Sequence, residues 1–316
     1  MSSAPPPPRV SWPGGKTFAF TVFDDTDSQT FECAQTVYEF LADLGLRTTK
    51  SMWVLPGSQP PQDPGACGEG NPEYVAWLQG LLRRGFEIAL HTAAPTTSTR
   101  AETLRAFERF AEWFGQYPQS FANHYASREN IYFGDARLTG GNRLAYNLLT
   151  GFRNRNQFSG HVEGDPLYWG DACRRHVRYV RNFVFPGINT LAECPWMPYH
   201  DPARPLVNHW FASTEGAAAP AFLERLSEQN QDRLESQGGA CIMYTHFGLG
   251  FRERGELVPR FRQLMQRLSR KDGWFVPVTT LLDHLLKANG SHVISPAERS
   301  RLEHKWLIHK LLHGSA

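Results

Sequence analysis

The stretch Lys16-Thr-Phe-Ala-Phe-Thr-Val-Phe-Asp24-Asp25-Thr26-Asp27-Ser28 decides the fold. From Lys16 to Phe23 it is apolar, β-branched and aromatic, which predicts a short buried strand. The run ends abruptly in acids. Phe31, Ala34, Val37, Phe40 and Leu41 then recur at helical spacing until Gly45 closes the segment. A buried strand that breaks on polar residues and hands over to a helix is the opening of a βα unit.

The same grammar repeats downstream. A strand over 48–55 precedes a loop over 56–71 and a helix over 72–84, with Val75, Leu78, Leu81 and Leu82 on one face and Gly85 as the stop. Phe86-Glu-Ile-Ala-Leu90 runs straight into His91, and a helix follows over 100–114 with Leu104, Phe107, Phe110 and Phe114 in its stripe. A strand over 120–123 leads into His124. Three strand–loop–helix units in series predict right-handed crossovers and a parallel sheet or barrel. In each unit the polar cluster falls at the carboxyl end of the strand, where parallel folds build their sites.

The stretch 134–218 is irregular, with strands expected over 177–184 and 206–211. Beyond it the periodicity predicts a helix over 219–235, a strand over 239–245 ending on His246, and a helix over 255–269. A strand over 274–278, a helix over 278–287 and a basic terminal helix over 296–312 follow. There is no internal repeat and no linker between equal halves. The expected organisation is a flexible Pro-rich arm (1–15), one α/β domain (16–290) and a helical extension (291–316).

Composition narrows the function. The 33 Lys+Arg nearly balance 31 Asp+Glu, so charge gives no argument for a nucleic-acid or anionic-membrane partner. The five cysteines are widely spaced with no CxxC pair, which argues against a zinc ribbon or a disulfide framework and for reduced, mostly buried thiols. No apolar run is long enough to span a bilayer and no secretory signal opens the chain, so cytoplasmic residence is expected. Abundant aromatics serve as core filler or as a stacking cleft for sugar rings. The oligomeric state stays open.

Three strand ends carry the chemistry. Asp24 and Asp25 are adjacent acids whose mutual repulsion a cation would relieve; capping of the helix near Ser28 is the other reading. His91 and His246 each end a strand, as structural histidines or as members of one site. Acid and imidazole on one sheet edge suit zinc or a similar divalent metal.

Thr21-Val-Phe-Asp24-Asp25, Gly85-Phe-Glu-Ile-Ala-Leu-His91-Thr92 and Tyr244-Thr-His246 together, in this order, resemble the motifs of the polysaccharide deacetylase superfamily (NodB homology, carbohydrate esterase family 4). The resemblance implies a single incomplete or distorted (β/α) barrel of the deacetylase type. It implies a divalent metal such as zinc on Asp25 and His91, Asp24 as general base and His246 as general acid. It also implies removal of an acetyl or related acyl group from an amide of a sugar or small glycan precursor. One position departs: where the family has its second metal histidine, this chain has Pro95. His124, at the next strand end, is the expected substitute, with a substrate contact or a structural role as its alternatives. Asn123, Tyr125, Arg128 and Trp169 are candidates for substrate binding, and Arg128 also for orienting the base. The alternatives are a hydrolase of non-sugar C–N bonds, or an inactive deacetylase-like barrel that binds a glycan or a protein partner.

Overall fold

In a computed structural model, residues 10–57 and 66–313 are described. Strand β1 (Phe18–Asp24) is buried at every position and is the hinge of the topology. Along its length it pairs in parallel with β8 (Ala240–Thr245). At its carboxyl end it pairs with β2 (Thr49–Met52) on the other side. From β2 the ladder continues in parallel through β3 (Glu87–Leu90), β4 (Ser120–Phe121), β5 (Tyr179–Phe185) and β7 (His209–Thr214), which returns to β8. Seven parallel strands therefore close a ring, one fewer than in a complete eight-stranded barrel. The short strand β6 (Tyr199–His200) pairs antiparallel with β7 outside the ring. The ring is distorted: Gly273–Phe275 takes the amino-terminal half of the β1 edge whose carboxyl half belongs to β2.

Helices cover the ring because strands buried on both faces leave no side for water. α1 (Phe31–Asp43) is capped by Thr30, whose hydroxyl accepts from the Cys33 amide. α2 (Pro72–Arg83) opens on an Asn71 cap with proline in its first turn. α3 (Arg100–Phe114) spans the predicted range, begins with a Thr99/Glu102 capping box and ends on left-handed Gly115. Its buried face carries Ala106, Phe107, Phe110 and Phe114.

Two expected helices begin or break elsewhere. The segment 219–235 is two helices, Ala219–Arg225 and Glu228–Gln237. The buried Gln231 amide donates to the carbonyls of Leu226 and Leu264, which fixes the break. The segment 255–258 is not helical: Arg252–Glu253 and Glu256–Leu257 form a hairpin about positive-φ Arg254 and Gly255. Helix starts at Pro259, because proline is tolerated in the first turn and not beyond it. Residues 10–15 are docked, with Trp12 buried and its indole N–H on the Gly238 carbonyl; the rest of the expected arm, 1–9, lies outside the described residues. The terminal helix Pro296–His313 packs on the barrel through Leu302, Glu303, Trp306 and Leu307. Of the five cysteines three are buried and two partly so, all free. Among the described residues no helix is long and apolar enough to cross a membrane.

Candidate active site

The carboxyl ends of β1, β3, β4, β5 and β8 converge on one cavity of about 60 Å³, lined among others by Asp25, Asp27, His91, Asn123, His124, Arg181, Tyr244 and His246. That volume admits a few waters or a small acyl group.

Asp27 is the hub. Its carboxylate lies 3.0 Å from His91 Nε2, 2.7 Å from His124 Nε2 and 3.2 Å from His246 Nε2. The loop that places it turns through Ser28 at φ 54°. Gly248 lets that loop approach, since a Cβ there would stand 2.4 Å from the Ser28 carbonyl oxygen. Burial opposes ionisation of Asp27, but the positive charge of His91 and the hydrogen bonds of His246 and His91 outweigh it and hold the carboxyl well below its ordinary range.

The imidazoles are oriented from behind. His91 Nδ1 donates to the Ala122 carbonyl (3.0 Å) and His246 Nδ1 to the Ala217 carbonyl (2.7 Å). His124 Nδ1 faces the Ser127 hydroxyl at 3.3 Å. With its Nδ1 proton committed, a neutral His91 turns a lone pair on Nε2 toward the carboxylate, the tautomer a metal requires. The close approach of His124 Nε2 to Asp27 Oδ1 is out of hydrogen-bonding line, and both buried atoms lack a hydrogen-bond partner.

Two sets of atoms can hold a cation: Asp27 with His91 and His124, and Asp25 with Asp27 and His246, each set within 4.8 Å. One carboxylate and two imidazoles around orphaned polar atoms fit a divalent ion such as zinc. The first set fits better, because both Asp25 oxygens accept from Arg181, at 2.9 and 2.5 Å. Asp25 still lies 3.9 Å from His91. Burial works against the Arg181 charge, but Asp25 keeps its pKa raised. For His246 burial likewise favours the neutral ring, yet the Asp27 hydrogen bond and the charges of Asp25 and Asp27 push its pKa to about 9.

Asp24 is placed differently from the expectation. It is fully buried and does not line the cavity. Its oxygens accept from the Phe247 amide, Gln29 and Tyr38, with Lys50 Nζ at 3.6 Å. Burial raises its pKa against the pull of Lys50. The reason is strand geometry: successive side chains on β1 point to opposite faces, so adjacent acids cannot both face one cavity.

The other expected residues divide. Asn123 and Tyr125 line the cavity, but the Asn123 amide is committed to both the N–H and the carbonyl of Ile131. Arg128 is exposed and away from the cavity, so the arginine that faces an acid there is Arg181. Trp169 is a core residue, packed on Phe107 and Phe121 with its indole N–H on the Glu129 carbonyl.

Arg181, Asp27, Asn182 and Arg137 were not singled out from the sequence. A charged residue inside Tyr179-Val-Arg-Asn-Phe-Val-Phe185, buried throughout, was the available signal for Arg181. Asp27 stood in the same acidic run, two positions after Asp25, in the loop that follows β1.

No model of a protein family matches the sequence, and no relative is found among curated proteins. Solved structures do match. The Puue allantoinase shares 13% identity, with 91% of this chain and 96% of that chain covered and a TM-score of 0.50. A protein from Mycobacterium smegmatis assigned as a polysaccharide deacetylase shares 14% (94% and 99% covered, TM-score 0.49). Another so assigned, from Pseudomonas aeruginosa PAO1, shares 12% (90% and 96% covered, TM-score 0.49). What the chain has in common with the allantoinase is its fold, a (β/α) barrel.

Proposed function

We propose that this protein is a metal-dependent amide hydrolase that removes an acetyl or related acyl group from a sugar or small glycan precursor. The observation that carries the reading is the convergence of His91 and His124 Nε2 on Asp27, with two of those buried atoms left without hydrogen-bond partners. Asp27, His91 and His124 would hold the ion, zinc by the chemistry of the donor set. When bound, such an ion makes water nucleophilic near neutral pH and polarises the acyl oxygen.

The remaining roles follow from position. Asp25, held by both nitrogens of Arg181, is oriented at the cavity to take a proton from water. Arg181 keeps that carboxylate pointed at the cavity. His246 keeps its Nε2 proton at neutral pH and lines the cavity beside Asp25 and Asp27, placed to protonate the departing amine. His124 stands in for the histidine that Pro95 displaces from the motif. Asp24 supports β1 from beneath through Lys50, Tyr38 and Gln29.

The fold shared with an allantoinase favours a second substrate reading within the same chemistry, a non-sugar C–N bond. One experiment tests the activity: turnover of a panel of N-acetylated sugars and small amides with and without added divalent metals. Metal-dependent release of acid and amine is expected. Its absence across the panel, in a protein that still binds one of the sugars, would replace the hydrolase with a binding protein.

A further inference from the structure

Two arginines line the cavity, and only one has a counter-charge. Arg181 is paired with Asp25. Arg137, at the end of the short turn Gly134–Arg137, is 6% exposed and lines the same cavity. Its guanidinium lies 4.2 Å from the Phe133 ring centroid and 5.0 Å from that of Trp306. Among the described residues no carboxylate forms an ion pair with it. The nearby acids are committed elsewhere: Asp135 to Arg143, Asp201 to Arg204 and Arg299, Glu303 to Arg204. Burial, together with Arg181 and Arg204, lowers the Arg137 pKa to about 10 against an opposing influence of Tyr146, so the group stays charged at neutral pH. Two aromatic faces return less than the desolvation of a guanidinium costs. A buried cation that faces a cavity without its own anion is a receptor for someone else's.

We propose that Arg137 binds an anionic group of the substrate, a carboxylate or a phosphate, carried close to the amide that is cleaved. This rests on reading the site as an amide hydrolase, and it narrows the substrate from a neutral N-acyl sugar to an acidic one. The small cavity sets the closeness, because the acids and Arg137 share its walls. A planar guanidinium fixed between rings suits two-pronged recognition of either anion. Phe133, Tyr244 and Val184 add apolar wall to the same cavity.

The test is calorimetric binding to the full chain of N-acetylglucosamine against N-acetylmuramic acid, and of N-acetylglucosamine against its 1-phosphate. Each charged sugar carries its anion one ring carbon from the amide. At least one charged member is expected to bind roughly 10- to 100-fold tighter than its neutral partner, as a buried charge-assisted hydrogen bond allows. The arm that responds identifies carboxylate or phosphate. R137Q should bring that ratio to about one, and R137K, which lacks the planar fork, should lower it about tenfold. Equal affinities in both pairs for wild type overturn the proposal, as does an advantage that survives R137Q. If circular dichroism shows R137Q unfolded, R137K decides, and an unchanged ratio there overturns it. Arginine-dependent anion binding without turnover of any amide would retain this inference and remove the hydrolase. Hydrolysis of neutral and charged sugars with equal ease would do the reverse.

Discussion

Two buried charged clusters occupy this barrel, and they differ in completeness. Around Arg204 the charges are matched: it pairs with Asp201 and Glu303 and donates to the Arg137 carbonyl, while Glu303 also accepts from Thr139. That network joins the terminal helix to the barrel wall, and nothing in it awaits a ligand. Around Asp27 three histidines crowd one carboxylate, and two buried atoms find no hydrogen bond. Both clusters are largely buried. Matched charges mark the structural one, and several imidazoles crowded on one carboxylate mark the site.

The largest effect that should separate them is on rate. Asp25→Asn removes the proton acceptor while leaving the Asp27 set intact. Turnover should fall about 10²–10⁴-fold, the usual contribution of a general base, with metal content unchanged by elemental analysis. Comparable turnover in the variant would strip Asp25 of its role. Glu303→Gln should do the opposite, leaving Arg204 short of charge in a buried setting. Chemical denaturation should show a loss of roughly 3–5 kcal/mol, with turnover per folded molecule near wild type. A drop in rate without loss of stability would erase the distinction between the clusters.

A smaller effect tests membership of the Asp27 set. His124→Ala should weaken metal binding by at least the roughly 10–100-fold that lost outer partners cost in metal sites, read by titration of metal into the apoprotein. Unchanged affinity would return His124 to a structural role. The smallest effect is on pH. The folded pKa of His246, about 9, lies above its ordinary value of 6.5. Its contribution to stability is therefore fully present below about 6.5 and is lost as pH rises through about 9. Melting temperatures of metal-free protein between those limits should fall in wild type and flatten in His246→Gln; parallel curves would count against the Asp27–His246 pair.

The fold was largely legible because each βα unit announces itself locally. Apolar runs ended on acids or histidines, and Gly45 and Gly85 closed the helices, each at positive φ. What failed were features set by distant partners. The break at Leu226 depends on Gln231 reaching Leu264, and no local pattern encodes that reach. In the site, His91, His124 and His246 were placed on one edge by strand order alone. Of the acids, Asp25 faces the cavity as expected and Asp24 does not, because adjacent residues on a strand face apart, while Asp27 joins Asp25 there. Arg181 lies 156 residues beyond the acid it holds, so only the closed ring brings the two together.

That ring has a consequence for how the chain reaches its native state. β1 is laid down early, yet its longest ladder is with β8, Ala19 against Ala240 at one end and Asp24 against Thr245 at the other. While the intervening residues are being synthesised, β1 carries an open, strongly apolar edge, the kind that neighbouring chains can capture. So distant a closure is slow, and it brings His246 to Asp27 at the same stroke. The pairing of His246 with Asp27 would then report the final step of folding, and its lag behind the appearance of helix would time that step.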